Sequence, residues 1–186
     1  FMDGLVTGNT ITEWKPLPYD WRFSPEQILE DGVTTSDGVV DLIHQIEELA
    51  TQSDTGKVTI IAHSMGGLMG KAIIKKLEED GKDNLIDAFV MVGTPQLGTP
   101  QSVASLLHGD SEGIVPLGFV SIANRADLRE SAQNMQSAYN LLPSQQYFND
   151  VSDPAIRFNE SAGFTDAWRA RWGNTIDSYS EYKEFL

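Results

Sequence analysis

One stretch constrains this chain more than any other. Val58-Thr59-Ile60-Ile61-Ala62 is short, nearly all apolar and rich in β-branched residues, which predicts a strand covered on both faces. It runs directly into His63-Ser64-Met65-Gly66-Gly67, and then Leu68, Met69, Ala72, Ile73 and Leu77 recur at helical spacing up to Gly81, a suitable C-terminal cap. A buried strand that turns at once into a helix is the joint of a βαβ unit around a parallel sheet. Ile86 to Val92 repeats the buried-strand signature and ends in Gly93-Thr94-Pro95. The fold class expected from this pattern is α/β, with a parallel sheet flanked by helices.

The remaining elements are expected on either side of that joint. Ile11 to Leu17 reads as a third strand, ending in Pro18-Tyr19-Asp20-Trp21-Arg22, where Asp20 and Arg22 can pair and fix the turn. Ser36 can cap a helix carrying Val39, Val40, Leu42, Ile43, Ile46, Leu49 and Ala50. Beyond Thr99 the character changes from sheet-like to helical. Leu128 to Leu142 predicts a helix stopped by Pro143, and no strand as clear as the earlier ones follows Val92. Phe164, Trp168 and Trp172 stripe one helix face, either packing against the region's own core or forming part of a lid flanked by Arg169 and Arg171. The division expected is a core over residues 1–100 and a helical cap over 101–186.

Composition excludes several functions. With 13 basic and 27 acidic residues the net charge is −14, the wrong sign for a nucleic-acid partner. The absence of cysteine removes disulfides and thiolate metal sites, and no run of about 18 apolar residues offers a transmembrane segment. Acidic runs such as Glu78-Glu79-Asp80 read as solvated surface, with no calcium-loop spacing.

Ala62-His63-Ser64-Met65-Gly66 has the small-x-Ser-x-small form of a nucleophile elbow, with Ala62 where glycine is commoner. Small residues two before and two after the serine let strand and helix approach. The turn lifts the Ser64 hydroxyl toward solvent. It leaves the Met65 N–H at the helix start, where the dipole favours a developing oxyanion and one donor is worth roughly 3 kcal/mol. Ser64 is therefore the candidate nucleophile and Met65 the candidate oxyanion donor; the chemistry needs no cofactor or metal.

The string Ala62-His63-Ser64-Met65-Gly66-Gly67 resembles the elbow of α/β-hydrolase lipases. Three further runs resemble the lecithin:cholesterol acyltransferase family in content and order: Pro18-Tyr19-Asp20-Trp21-Arg22, Val92-Gly93-Thr94-Pro95-Gln96-Leu97-Gly98-Thr99-Pro100, and Ser137-Ala138-Tyr139-Asn140-Leu141-Leu142-Pro143-Ser144. The resemblance implies an α/β-hydrolase core with a helical cap, and a serine that takes an acyl group from a lipid ester and passes it to water or an alcohol. A plain carboxylesterase or triacylglycerol lipase, and a non-catalytic interaction module of the same fold, are the rival readings.

A serine nucleophile needs a histidine base oriented by a carboxylate, in the chain order Ser, acid, His for this fold. Of the three histidines only His108 follows Ser64; His44 lies upstream, and His63 adjoins the nucleophile on a turn where neighbouring side chains diverge. The resemblance implies an acid and a histidine beyond Leu186, and a second oxyanion donor from a loop before Ile11. Three parallel strands are too few for this fold, and the chain starts at Phe1. The expectation is an interior piece of a longer hydrolase, weakly active or inactive alone, whose missing strands come from the rest of the chain.

Overall fold

The computed structural model describes residues 1–109 and 124–186. They divide into two compact units, Phe1–Gln96 and Leu97–Leu186, each with its own hydrophobic cluster. The first unit contains α1 (Met2–Thr7), α2 (Pro25–Asp31), the strands β1 (Val33–Thr35) and β2 (Gly38–Val40), α3 (Leu42–Gln52), β3 (Val58–His63), α4 (Gly66–Glu79), a 3₁₀ turn at Asp83–Leu85, and β4 (Ile86–Val92).

β3 and β4 pair in parallel, from Val58 opposite Ile86 to His63 opposite Val92, with a register shift after Val58. Strand alternation then sorts the side chains into two faces. Ile60 and Ile86 pack into a cluster built from Ile28, Val33, Leu42, Ile43, Ile46, Ala50 and Val58 together with Met69, Ile73 and Leu77 of α4. On the other face Ile61, Val90 and Val92 stay 63%, 45% and 51% exposed. The strand expected to be covered on both faces is thus covered on one among the described residues, although its composition is nearly all apolar.

α4 reaches the sheet through a notch. Gly67 and Gly70 lie one turn apart on the helix face toward β4. A Cβ on Gly70 would stand 2.6 Å from the ring of Phe89, and one on Gly67 would overlap Thr94. Glycine at both positions lets the helix axis settle closer to β4 than any side chain would permit.

Three expectations for this unit are corrected. The stretch from Ile11 to Leu17 forms no ladder, so the described parallel sheet has two strands instead of three. Pro16 and Pro18 remove two backbone donors and hold their predecessors extended, which produces strand-like sequence without strand pairing. Ser36 caps no helix: with Asp37 it turns the β1–β2 hairpin, whose register puts Thr35 opposite Gly38, and Val39 is exposed on β2. The helix starts at Leu42, capped by Asp41, whose carboxylate accepts from the N–H groups of Ile43 at 2.8 Å and His44 at 3.2 Å. A carboxylate there suits the positive end of the dipole.

The turn at Asp20 is held as expected. Its carboxylate accepts from Arg22 Nε at 2.8 Å and pairs with the same guanidinium's Nη2. These hydrogen bonds hold the Asp20 carboxyl down at about 2.

The second unit contains α5 (Pro100–His108), α6 (Arg125–Gln133), α7 (Gln136–Asn140), α8 (Gln145–Asp150), β5 (Ile156–Arg157), α9 (Asp166–Trp172), β6 (Thr175–Ile176) and α10 (Tyr179–Phe185). The helix expected from Leu128 to Leu142 is two helices. Asn134 ends α6 and Met135 starts α7 in extended conformation, while a capping box of Asn124 and Asp127 fixes the start of α6. A two-residue antiparallel pairing, Ile156 opposite Ile176 and Arg157 opposite Thr175, was too short to leave a periodic signal. The aromatic stripe packs inward: Phe164, just before α9, stacks on Trp168 at 5.1 Å, and Phe185 meets Trp172 edge-on at 5.5 Å. Arg169 lies over the Phe164 ring at 4.9 Å and bonds Asn174 Oδ1 at 2.7 Å, while Arg171 pairs with Glu184 at 2.9 Å. Both guanidinium groups are engaged within their own unit. Among the described residues no helix is long and apolar enough to cross a membrane.

Two expected outcomes test this fold. Leu77, with 0% exposure, should cost about 2–5 kcal/mol on truncation to alanine, while Ile61→Ala should cost under about 0.5 kcal/mol; urea unfolding of both variants separates them. Because the folded pKa of Asp20 lies below the ordinary carboxylate value, the pair's contribution is present above that value and is lost as pH falls through about 2. Following the Asp20 carboxyl carbon by NMR should give a midpoint near 2, moving to roughly 4 in Arg22→Ala.

Candidate active site

The site is built from the junction of β3 and α4. Ser64 has φ of +53°, and it shares a positive φ with Asn9 alone among the described non-glycine residues. For a residue with a Cβ such a conformation costs of the order of 1–3 kcal/mol and persists only where the surroundings impose it. Two hydrogen bonds impose it here. The Ser64 N–H donates to Val92 O at 2.9 Å, extending the β3–β4 pairing past the end of the strand, and Ser64 O accepts from the Gly67 N–H at 3.0 Å. Met65 takes helical dihedrals at once, and its carbonyl accepts from Leu68 N at 3.0 Å and Met69 N at 3.3 Å. The chain therefore changes from strand to helix across one residue.

That geometry exposes Ser64 and leaves the N–H groups of Met65 and Gly66 without an acceptor among the described residues. These are the unpaired donors of the first turn of a 14-residue helix, at the positive end of its dipole. Ser64 Oγ likewise makes no hydrogen bond among the described residues. The arrangement offers a free hydroxyl beside free backbone donors: a nucleophile position and a place for negative charge.

Neither histidine of the first unit is bonded to Ser64. His44 lies on α3 with its ring 4.0 Å from Glu47 and 3.4 Å from Glu48, carboxylates of its own helix. His63 ends β3 opposite Val92 and is exposed; no hydrogen bond joins it to Ser64. His108 is the last residue of α5, in the second unit, and Asp110 of the Leu107-His108-Gly109-Asp110 run lies outside the described residues. No group of acidic and histidine side chains suited to a metal ion occurs among the described residues.

Two neighbours of the elbow escaped the sequence reading. The Tyr19 hydroxyl stands 3.8 Å from where a Gly66 Cβ would sit, and burial pushes this phenol above its ordinary pKa, so it stays neutral. Thr94 presses against Gly67, with its hydroxyl oxygen buried and without a hydrogen-bond partner among the described residues. Both belong to runs that carry the resemblance, but no spacing in sequence says which atoms meet. The tight contact also differs from the one expected. A Cβ on Gly66 would meet Ala62 Cβ at an ordinary 3.8 Å, whereas Gly67, one residue further on, has no room at all.

Two of the other quoted runs meet within the second unit. Thr99 N donates to Leu141 O at 2.8 Å, Ser144 N donates to Leu97 O at 2.9 Å, and a Cβ on Gly98 would overlap the Leu142 carbonyl. Residues far apart in sequence thus form one braced loop pair.

Residues 4–172 match the profile described as lecithin:cholesterol acyltransferase. The chain is 30% identical over 162 residues to the bovine (Bos taurus) lysosomal phospholipase A and acyltransferase, covering 83% of this chain and 37% of that protein. The human (Homo sapiens) protein of that name is also 30% identical, over 166 residues and with the same coverage. The rabbit (Oryctolagus cuniculus) phosphatidylcholine-sterol acyltransferase is 26% identical over 175 residues, covering 89% of this chain and 37% of that protein. The chain therefore spans a little over a third of the length of these relatives. With one profile running through the elbow, the Tyr19 segment and most of the second unit, this chain belongs to the lecithin:cholesterol acyltransferase family.

Proposed function

We propose that these residues are part of an α/β-hydrolase in which Ser64 attacks the carbonyl carbon of a lipid ester. The observation that carries the reading is the positive φ of Ser64 at a one-residue junction between a parallel strand and a helix N-terminus. In the proposed reaction the Ser64 oxygen bonds to the acyl carbon as its proton passes to a base. The carbonyl oxygen becomes an oxyanion held by the Met65 N–H, and the alcohol of the ester leaves with a proton. Water or a second alcohol then takes the acyl group from Ser64, completing hydrolysis or transfer. Membership in the family, and relatives named as a phospholipase and acyltransferases, support a lipid acyl ester as substrate.

In this reading residues 1–100 belong to the hydrolase core and residues 101–186 to a helical cap. The base, its carboxylate partner, the second oxyanion donor and further strands are supplied from outside the 186 residues. The support is twofold: among the described residues of the first unit no imidazole is bonded to Ser64 Oγ, and the chain spans 37% of its relatives. Loss of the base from such a serine site costs roughly a millionfold in turnover.

Two measurements check the proposal. In the complete polypeptide that carries these residues, a fluorophosphonate probe should label Ser64, and Ser64→Ala should abolish labelling; an unlabelled Ser64 favours the non-catalytic reading. The 186 residues alone should hydrolyse a lipid ester at least about a thousandfold more slowly than that polypeptide. Equal rates, lost in Ser64→Ala, would place the base among His44, His63 and His108.

A further inference from the structure

Thr94 is fixed more firmly than a loop residue needs to be. Gly93 before it has φ of +60°, which turns the chain sharply off the end of β4. Pro95 after it confines Thr94 to extended backbone, and the Thr94 carbonyl accepts from Gln96 N at 2.9 Å. Its branched Cβ leaves few rotamers. The side chain so fixed lies against the first turn of α4: a Cβ on Gly67 would stand 2.5 Å from Thr94 Cγ2 and 2.7 Å from Thr94 Cβ, and would overlap Oγ1.

The hydroxyl itself is the second unusual feature. Thr94 Oγ1 is buried with no hydrogen-bond partner among the described residues, an arrangement native proteins avoid unless something offsets it. An oxygen is smaller than a methyl group, and Oγ1 is the atom nearest the Gly67 Cβ position. Valine has the same branching but would put a methyl there and push the helix away. The missing Cβ of Gly67 is what allows the end of β4, with the Thr94 side chain, and the start of α4 to come this close.

Two residues earlier, Val92 O holds the Ser64 N–H at 2.9 Å. The segment Val92-Gly93-Thr94 therefore grips the elbow at two points, at its strained residue Ser64 by a hydrogen bond and at Gly67 by a fitted side chain. We propose that Thr94 is a positioning residue: seated in the Gly67 notch, it fixes where the first turn of α4 stands relative to β4, and with it the Ser64 hydroxyl and the Met65 N–H. This inference rests on Ser64 being the nucleophile.

The test measures the rate of fluorophosphonate labelling of Ser64 in the complete polypeptide, alongside its melting temperature. Thr94→Ala empties the notch and should lower the labelling rate roughly tenfold to a hundredfold, the scale of a misplacement near 1 Å, in protein that remains folded at the assay temperature. Gly67→Ala crowds the notch from the other side and should do the same. Combining Gly67→Ala with Thr94→Gly moves the filling methyl from the strand end to the helix, and should restore labelling to within a few-fold of the parent. Parental rates in Thr94→Ala, or a double variant no better than the worse single one, overturn the positioning role while leaving Ser64 as nucleophile. An unlabelled parent overturns both readings.

Discussion

The hydrogen bond from the Ser64 N–H to Val92 O is the contact on which the rest of the site depends. It is the last rung of the parallel β3–β4 pairing, yet it falls on a residue that has already left the strand. A slip of one residue between the strands would take this rung away and reverse the face of every side chain on the strand that slips. With it in place the chain must reverse within one residue, and the left-handed backbone of Ser64 is the consequence. The free amides of Met65 and Gly66 follow from the same cause, since a helix that starts this abruptly has no preceding residue in position to cap it.

Packing of the first unit supports this junction from one side. Leu77, Ile73 and Met69 anchor α4 in the cluster shared with α3, and the glycine notch sets its other face against Phe89 and Thr94. The helix is held along its length, so its first turn is not free to drift. The opposite sheet face, with Ile61, Val90 and Val92 in the open, contributes apolar surface that the described residues leave uncovered. In the second unit, aromatic rings and paired guanidinium groups form a separate core. There the Leu97–Thr99 and Leu141–Ser144 segments brace one another through backbone hydrogen bonds.

The joint between β3 and α4 was legible because two periodicities meet there: a continuous apolar strand and a helical repeat, separated by residues too small to serve either pattern. β4 was legible for the same reason. Other elements misled because local composition imitated the wrong periodicity. Pro16 and Pro18 keep their segment extended without allowing it to pair, and Val39 and Val40 extend an apolar helix spacing backwards into a hairpin. Contacts between distant segments left no trace in spacing. Tyr19 beside Gly66 and Thr94 against Gly67 are visible only once the fold has brought them together, which is why the tight position was read as Gly66 and proved to be Gly67. The family was recognisable from four ordered runs, and each of those runs meets another in the folded chain.

What joins these observations is a serine displayed on a strained turn, with backbone donors beside it and no imidazole of its own unit bonded to its hydroxyl among the described residues. The chemistry proposed for it passes through a covalent acyl-serine. The most direct measurement is mass spectrometry of the complete polypeptide after brief incubation with a phospholipid and quenching in acid. The account predicts that the proteolytic peptide containing Ser64 gains the mass of the acyl group less one hydrogen, and that Ser64→Ala loses the adduct. Acyl transfer that proceeds without the adduct, or with it on another residue, would contradict the account.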